Sequence, residues 1–246
     1  MEFDAETIEI KDYRDEDKVQ MRIVKLRLPP DQNFEYKAGQ FVMLAMEGFV
    51  LHSNSNALKW TSYSIASSQQ QQGMLEFCIK IRETGGFTQF LRDNLQLGKK
   101  IKVKGPYGNF CCEQPKKHVL LLGAGSGIAP MLSLARNLLG NGAETEITCI
   151  YGFRNTNHWV YKDEMEQHQK NHKNFTYIPT QSRPDGKWIG KKGYVQDVLK
   201  LIKVEEPVET QAFVCGNPLM VAENKKLLLE RGVPAANIHT EQWEGA

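Results

Sequence analysis

The chain has 246 residues, with 31 lysines and arginines against 29 acidic residues and a formal net charge of +2. This near-balance gives no reason to expect a nucleic-acid partner, and a hydrophobic content of 41% excludes a wholly disordered chain. No apolar run reaches the roughly 18–20 residues that span a bilayer. The acidic N-terminal segment lacks the apolar stretch of a signal peptide, and five cysteines do not make a disulfide framework. We therefore expect a cytoplasmic globular protein.

The first half of the sequence has the pattern of an antiparallel β domain. Short apolar or alternating runs are separated by proline, glycine and polar turns. The predicted strands lie near residues 7–13, 18–28, 41–45, 63–66 and 74–81. Only residues 86–95 show the helical spacing of apolar side chains. With a last strand before the turn at residues 105–110, this pattern predicts a six-stranded antiparallel barrel within residues 1–114.

After residue 115 the pattern changes to alternating strands and helices. The predicted strands are residues 118–122, 146–151, 175–179 and 212–214, and the predicted helices are 130–139, 161–170, 195–202 and 219–230. Such alternation indicates a parallel sheet covered on both faces. A short charged stretch with a proline, residues 113–117, separates the two patterns. We predict a second, parallel α/β domain over residues 115–246.

A glycine turn joins the first predicted strand of this domain to its first helix. Gly123, Gly125 and Gly127 would let the backbone approach a pyrophosphate, and the helix N-terminus offers N–H groups and a partial positive charge. Ser126 lies within the turn, and Pro130 suits a first helical turn, where no N–H is needed. Such a turn can also serve only to pack a helix on a strand, and its spacing differs from the G-x-G-x-x-G fingerprint. Its position between strand and helix favours a nucleotide site.

A second turn of this kind follows the strand predicted at residues 212–214. Cys215, Gly216 and Pro218 stand where that strand ends and a helix begins. Parallel sheets bind ligands at this edge. A cysteine here could also be only a small buried hydrophobe. The presence of the glycine turn on the same domain favours a ligand pocket.

Three further motifs lie in the barrel half. Tyr63 could stack on an aromatic ring or fill the core, and the neighbouring Ser64 could donate a hydrogen bond to a ring nitrogen. Residues 85–88, Gly-Gly-Phe-Thr, open a helix and form a second anion site with a threonine hydroxyl near its start. Residues 105–110 form a tight turn after the last barrel strand.

In this order the motifs resemble those of the ferredoxin–NADP reductase family of flavoproteins, over nearly the whole chain. Residues 63–64 resemble the second half of the family's Arg-x-Tyr-Ser motif, residues 85–88 its flavin-phosphate helix start, and residues 105–108 its Gly-Pro-x-Gly turn. Residues 123–130 are similar to its nicotinamide-nucleotide loop, and residues 215–218 to its nicotinamide-side motif. The resemblance implies FAD, less often FMN, in the barrel, NADPH or NADH on the α/β domain, and two-electron transfer between them.

The resemblance also implies roles for individual residues. Ser64 would hydrogen-bond near the flavin N5 and Cys215 would border the nicotinamide pocket, so these two are the catalytic candidates. Residues 241–243 resemble the family's terminal acidic-x-aromatic element, in which Trp243 would cover the flavin or dock between the domains. The cofactor-binding candidates are Lys59, Thr61, Ser62, Tyr63, Ser64, Ile79, Lys80, Gly85, Gly86, Phe87, Thr88, Gly123, Gly125, Ser126, Gly127, Pro130, Arg154, Ser182, Arg183, Cys215, Gly216, Pro218 and Trp243.

One position departs from the family pattern. Thr61 stands where the family usually has the arginine that holds the flavin phosphate. Alternate residues of a strand share a face, so Lys59 projects to the same side as Thr61 and Tyr63. Lys59 could replace the charge, although as a point charge rather than a planar fork. We expect FAD to bind all the same, because the helix start at residues 85–88 is retained.

The choice between NADPH and NADH depends on two segments. Ser182 and Arg183 follow the strand predicted at residues 175–179, where NADP-specific members of the family often place serine and arginine around the 2′-phosphate. Arginine suits that dianion by bidentate geometry. Similar segments occur in NADH-using relatives, and Arg154 could serve either nucleotide. The sequence favours NADPH over NADH.

These assignments predict an FAD-dependent NAD(P)H oxidoreductase that passes electrons to a separate acceptor: ferredoxin, flavodoxin or an oxygenase component. Two alternatives stay open, a non-catalytic or electron-transfer subunit of a larger redox complex and a reductase of free flavin. We expect no nucleic-acid partner, no membrane span and no metal site. His168 and His172 are one helical turn apart without a third ligand, and no cysteine cluster has iron–sulfur spacing.

Overall fold

The computed structural model describes residues 1–50 and 57–242. Its N-terminal half is built of β1 (Glu2–Asp15), β2 (Lys18–Arg27), β3 (Phe41–Ala45), β4 (Thr61–Ser64), β5 (Met74–Lys80), α1 (Gly86–Asn94) and β6 (Lys100–Tyr107). The strands form one antiparallel sheet in the order β4-β3-β6-β1-β2-β5, and a bridge between Ile65 and Phe77 joins its two edges. The predicted six-stranded antiparallel barrel is confirmed.

The barrel core explains why these segments are strands and why α1 lies against them. Inward residues of β2, β3 and β6 are fully buried, while outward charged residues pair across strands, as Lys25 does with Glu9 at 2.9 Å. Strand β1 is longer than its apolar residues alone predict, and ion pairs of this kind lie along it. In α1, Phe87 and Leu91 are four residues apart, so both face the barrel and are buried.

The C-terminal half is a six-stranded parallel sheet in the order β10-β9-β8-β7-β11-β12. Its elements are β7 (His118–Ala124), α2 (Ile128–Gly140), β8 (Glu146–Phe153), α3 (Lys162–Asn171), β9 (Phe175–Gln181), β10 (Lys191–Lys192), α4 (Val195–Leu201), β11 (Thr210–Gly216), α5 (Pro218–Glu230) and β12 (Ile238–Gln242). Alternate β7 residues enter two cores, one shared with α2 and α3 and the other with α4 and α5. The predicted parallel α/β arrangement is confirmed, with β10 and β12 as strands that the sequence analysis did not predict.

The two halves share a hydrophobic core. Met21, Ile23 and Cys78 of the barrel belong to the same buried cluster as the apolar face of α2. The chain passes from one sheet to the other between Tyr107 and His118. The domain boundary that we place at residue 114 falls in that connection and stays a prediction. Within the described residues, no helix is both long and apolar enough to cross a membrane.

Arg136 of α2 is the polar centre of the contact between the halves. Its guanidinium donates to the Ala66 carbonyl at 2.9 Å, to Glu76 of β5 at 3.0 Å and to Glu164 of α3 at 2.6 and 2.7 Å. Glu76 is only 3% exposed, and Arg136 supplies the partner that a buried carboxylate needs. Burial alone would raise the pKa of Glu164, but the neighbouring His168 and Arg136 outweigh burial and lower it to about 2. We call these three charged side chains, Arg136, Glu76 and Glu164, the Arg136 cluster.

A second polar contact ties the β1–β2 turn to the loop after β8. The carboxylate of Asp15 accepts hydrogen bonds from Asn155 at 3.1 Å and from Asn157 at 2.8 Å. Bonds from Asn157 and Asn155 lower the pKa of Asp15. The barrel thus also holds the segment that follows the predicted nucleotide residue Arg154.

Replacing Arg136 by methionine should destabilise the protein strongly. The substitution keeps much of the side-chain volume but leaves the buried Glu76 carboxylate without a partner, which typically lowers the free energy of unfolding by about 3–5 kcal/mol. Urea denaturation of the full chain measures the change. Arg27→Met is the matched control, because Arg27 pairs with Glu6 on the surface and such pairs contribute about 0–1 kcal/mol. Equal losses in the two variants would contradict a structural role for the Arg136 cluster.

Candidate active site

The glycine turn and the cysteine turn, which the sequence analysis predicts separately, are in contact. A 3-10 turn, Gly125–Gly127, joins β7 to α2. A Cβ atom on Gly127 would lie 2.3 Å from the Cys215 carbonyl oxygen, so only glycine fits there. Gly125 has a φ of 58°, which also favours glycine. The two turns therefore form one edge at the carboxyl ends of β7 and β11, where parallel sheets bind ligands.

The N-terminus of α2 is open for an anion. The helix begins at Ile128, and Pro130 lies within its first turn, where its missing N–H leaves no bond unmade. Gly127 is the N-cap residue, with no side-chain cap and no acidic residue in the first turn. Ser126 is half-buried beside this helix start. The backbone N–H groups of the turn and of the helix start can therefore bind a pyrophosphate.

The local sequence explains the turn at the end of β11. The side chain of Asn217 accepts a hydrogen bond from the Met220 N–H at 3.0 Å, and Pro218 is the first residue of α5. Cys215 is fully buried, and a Cβ on Gly216 would lie 3.0 Å from the Met220 sulfur. Small residues at 215 and 216 therefore let α5 start close to the edge formed by the two turns.

In the barrel, β4 presents Tyr63 and Ser64 to opposite sides. Tyr63 pairs with Val42 and turns inward, where its ring centroid lies 6.1 Å from that of Phe87. Ser64 pairs with Phe41 on the other face and is 5% exposed. Burial raises the pKa of Tyr63 well above its usual value. Neither hydroxyl has a hydrogen-bond partner among the residues that the structure describes.

Glu241 is a site residue that the sequence analysis did not select. It lies on β12 in direct register with Cys215 on β11, and a Cβ on Gly108 of the barrel half would lie 3.7 Å from its Oε1. Burial raises the pKa of Glu241 to about 7, although the nearby Ser64 hydroxyl acts to lower it. Its other oxygen, Oε2, has no partner within the described chain. The signal was the terminal acidic-x-aromatic element, but nothing in the sequence shows that this carboxylate is buried beside Ser64.

The predicted flavin-phosphate end lies at the start of α1. Gly85 and Gly86 have φ values of 77° and 72°, and no atom lies within 4 Å of a Cβ built on either. Phe87 is buried, and Thr88 Oγ1 accepts a hydrogen bond from the Arg82 N–H at 3.2 Å. The helix has neither a side-chain cap nor an acidic residue in its first turn. This end of α1 can therefore also receive an anion.

The other predicted barrel residues take different positions. Lys59 precedes β4, with its ammonium 5.6 Å from the centre of the Phe49 ring. Thr61 shares the inward side with Tyr63, whereas Ser62 pairs with Met43 on the opposite side. On β5, Ile79 is packed in the barrel core, whereas the next residue, Lys80, is exposed. Only the backbone of Ile79 is therefore available to a ligand.

The residues predicted near the nucleotide 2′-phosphate meet at the ends of β8 and β9. Ser182 donates its N–H to the Phe153 carbonyl at 2.9 Å, and Arg183 donates its N–H to the Arg154 carbonyl at 2.8 Å. Both arginine side chains are exposed. Trp243, the last predicted residue, lies outside the described residues.

The residues present fit a flavin and a nicotinamide nucleotide. Ser64 Oγ and Glu241 Oε2 belong to neighbouring side chains and lack a protein partner within the described ranges, as does Tyr63 OH on the opposite side of β4. Buried polar groups are normally hydrogen-bonded, so these atoms are available to a polar ligand. The open glycine starts of α1 and α2 supply two anion sites, one on each half of the chain.

Two family models match successive parts of the chain. The oxidoreductase FAD-binding domain matches residues 15–111, and the oxidoreductase NAD-binding domain matches residues 121–226. Together they cover most strands of both sheets and the starts of α1 and α2. FAD and NAD(P)H are therefore the cofactors of this chain.

The curated relatives include named reductase components of monooxygenases. The chain is 27% identical to the phenol hydroxylase P5 protein of Acinetobacter pittii over 100% of its own length and 66% of the relative's. It is 31% identical to the reductase component of propane 2-monooxygenase of Rhodococcus jostii, over 90% of this chain and 60% of that protein. The chain thus spans about two thirds or less of the length of these relatives.

Solved structures share the fold. A ferredoxin reductase of carbazole 1,9a-dioxygenase matches with a TM-score of 0.82 at 23% identity, covering 99% of this chain and 70% of that chain. A ferredoxin NADP+ reductase from Neisseria gonorrhoeae, with bound FAD and NADP, matches with a TM-score of 0.80 at 21% identity and covers 98% of both chains. With its paired FAD-binding and NAD-binding domains in this order, the chain belongs to the flavoprotein reductases of the ferredoxin–NADP reductase type.

Proposed function

We propose that this chain takes a hydride from NAD(P)H onto bound FAD and passes the electrons to a separate protein, an oxygenase component or a ferredoxin, with flavodoxin as a further candidate. The observation that carries the proposal is the meeting of Ser64, Cys215 and Glu241 where the barrel faces the glycine turn. Relatives that are named reductase components support an enzyme over a non-catalytic subunit. The absence of a disulfide among the five cysteines is consistent with the cytoplasm as its location.

In this proposal the barrel holds the flavin. Bound FAD supplies the redox chemistry, since it accepts a hydride and releases its electrons to another acceptor. Tyr63 would stack on the flavin ring, and Ser64 would donate a hydrogen bond near N5. The backbone of Ile79 and the segment 85–88 would contact the flavin chain. The remaining predicted contacts of the flavin are Thr61, Ser62, Lys80 and Lys59.

The second sheet would hold the nucleotide. The turn containing Gly123, Gly125, Ser126 and Gly127, with Pro130 in the following helix turn, would receive the pyrophosphate. Cys215, Gly216 and Pro218 would bound the nicotinamide pocket. Because catalysis here requires the reacting atoms about 3–3.5 Å apart, these residues act mainly by positioning and by excluding water.

Glu241 would serve as the proton-holding group of the site. With a pKa of about 7 it exists in both protonation states near neutral pH, as a group that gives and takes protons should. Trp243 follows it closely in sequence and stays a predicted cover of the flavin or of the interface between the halves.

The purified full chain should be yellow, and anaerobic NADPH or NADH should bleach its flavin. Ferricyanide is a suitable artificial acceptor for measuring turnover by visible absorbance. Bound flavin that neither nucleotide reduces would contradict the proposal and support a non-catalytic subunit. Flavin that washes off yet turns over would instead indicate a reductase of free flavin, and a colourless protein that takes up neither FAD nor FMN would refute a flavin site.

Glu241→Gln should become relatively more stable than the wild type as pH rises. The carboxyl pKa is raised in the folded state, so the folded protein holds a proton that the unfolded chain has lost between about pH 4.5 and pH 7. Wild-type stability therefore falls with rising pH across this window, by up to about 3 kcal/mol, and the glutamine variant lacks this fall. Urea denaturation from pH 4 to pH 8 measures the difference. The exposed Glu35→Gln is the control, and a pH-independent difference for Glu241→Gln would contradict a raised pKa.

We infer that Arg183 and Arg154, with Ser182, favour NADPH through its 2′-phosphate. Two exposed guanidinium groups on adjacent, hydrogen-bonded loops suit a dianion. Arg183→Ala should lower kcat/KM for NADPH about 10- to 100-fold, the loss expected for one charged hydrogen bond, and leave kcat/KM for NADH nearly unchanged. Steady-state kinetics with both nucleotides test this, with Lys187→Ala on the same loop as control. An equal loss for both nucleotides would mean that Arg183 does not read the 2′-phosphate.

A further inference from the structure

The phosphate end of the proposed flavin site needs a positive charge that Thr61 does not supply. At the start of α1, the N–H groups of Gly86, Phe87 and Thr88 have no protein acceptor in residues 1–50 and 57–242. Space is open around Gly85 and Gly86, so a phosphate can approach the backbone closely. The Tyr63 ring packs near Phe87, the second residue of this helix, and its hydroxyl has no partner among the described residues. A cation close to this helix start would complete an anion site.

Arg82 is held at this helix start by its backbone. The neighbouring Ile81 N–H bonds to the Gln20 carbonyl at 2.9 Å and so continues the pairing of β5 with β2. The Arg82 N–H itself bonds to Thr88 Oγ1 at 3.2 Å, across the first turn of α1. Because the Thr88 oxygen accepts this bond, its hydroxyl hydrogen remains available to donate to a ligand.

The charge of Arg82 is not neutralised by the protein. Its side chain is exposed, and in the described part of the chain its guanidinium makes no ion pair or hydrogen bond. The adjacent Glu83 is engaged elsewhere, because its carboxylate binds Lys18 at 3.0 Å and its carbonyl accepts from Arg92 at 3.3 Å. Burial raises the pKa of Tyr63, and the positive charge of Arg82 partly opposes this rise.

Lys59, the cation that the sequence pattern nominates, is placed less well. Its N–H bonds to the Phe49 carbonyl at 3.0 Å and its ammonium rests on the Phe49 ring. Phe49 in turn packs on Phe87 and Phe90 of α1, with centroids 5.2 and 5.4 Å away. The ammonium therefore already has an aromatic partner, and it lacks the planar fork that arginine offers to a phosphate.

We propose that Arg82 binds the phosphate of the flavin cofactor together with the start of α1, and so supplies the charge that Thr61 lacks. This inference rests on the proposed flavin site and adds a residue to it. The guanidinium donates to the phosphate oxygens from one side, and the N–H groups of residues 86–88 donate from the helix. Arg82 does not contribute to binding of the flavin ring itself.

The test compares flavins with and without phosphate. Arg82→Gln, Arg82→Lys, Lys59→Gln and wild type are prepared as full chains, stripped of flavin, and titrated with riboflavin, FMN and FAD by flavin fluorescence. Arg82→Gln should raise Kd for FMN and FAD about 10- to 100-fold, as expected for a charged hydrogen bond, and change Kd for riboflavin less than about twofold. The Kd values of Arg82→Lys for FMN and FAD should lie between those of the wild type and Arg82→Gln. The salt dependence of FMN binding should also become shallower in Arg82→Gln. Arg27→Gln, an exposed arginine paired with Glu6, controls for net charge.

The outcomes separate this proposal from the function on which it rests. If Arg82→Gln weakens the binding of riboflavin as much as that of FMN, or changes neither Kd, Arg82 does not bind the phosphate. If Lys59→Gln shows the phosphate-selective loss in its place, Lys59 holds the phosphate and the inference is overturned. Wild-type protein that binds none of the three flavins would overturn the flavin site and this inference together. Unchanged Kd values for FMN and FAD in an Arg82→Gln protein whose flavin is still reduced by NADPH or NADH would overturn only the inference.

Discussion

The relative position of the two sheets depends, beyond their shared hydrophobic core, on one largely buried guanidinium. Arg136 reaches from α2 to a carbonyl and a carboxylate of the barrel and to a carboxylate of α3, so one side chain joins three elements. Tyr161, whose φ of 57° is unusual for a residue with a side chain, packs its ring 5.7 Å from this guanidinium. Such strain persists only where the surroundings enforce it. Because hydride transfer tolerates little displacement, a rigid junction here is a condition for the proposed chemistry.

Strand register then determines which groups meet at that junction. Parallel pairing of β11 with β12 places Glu241 beside Cys215, and pairing of β11 with β7 places Cys215 beside Gly123. A shift of one residue would turn Glu241 to the other face of the sheet. The absence of a side chain at Gly127 lets α2 approach this row closely. The site is therefore a product of register and close packing more than of any single motif.

Much of the fold follows from the sequence, because its main signals are local. Apolar runs and alternation predict most strands of the barrel, and the alternation of strands with helices predicts the parallel sheet. The polar strand β12, Ile238–Gln242, has no apolar run and owes its existence to the edge of β11. The burial of Glu241 and the link from Arg136 to Glu76 depend on contacts between distant segments, which residue patterns do not encode. The sequence motifs therefore identify Ser64 and Cys215, but they do not show that the Glu241 carboxylate lies buried beside them.

The helix N-termini distinguish ligand sites from ordinary structure. Three helices satisfy their own N-termini: α3 carries Asp163 and Glu164 in its first turn, α4 carries Asp197, and α5 is capped by Asn217. The two helices that follow glycine turns, α1 and α2, have neither device. An acidic residue or side-chain cap would occupy the N–H groups and repel a phosphate. The uncapped start of α1 lies near Tyr63, and that of α2 packs against Cys215. One such helix start in each half is expected for a chain that binds one phosphorylated cofactor on each sheet. Arg82, whose guanidinium has no partner among the described residues, lies beside the first of them, and in our proposal it adds a full charge where the helix alone offers only partial charge.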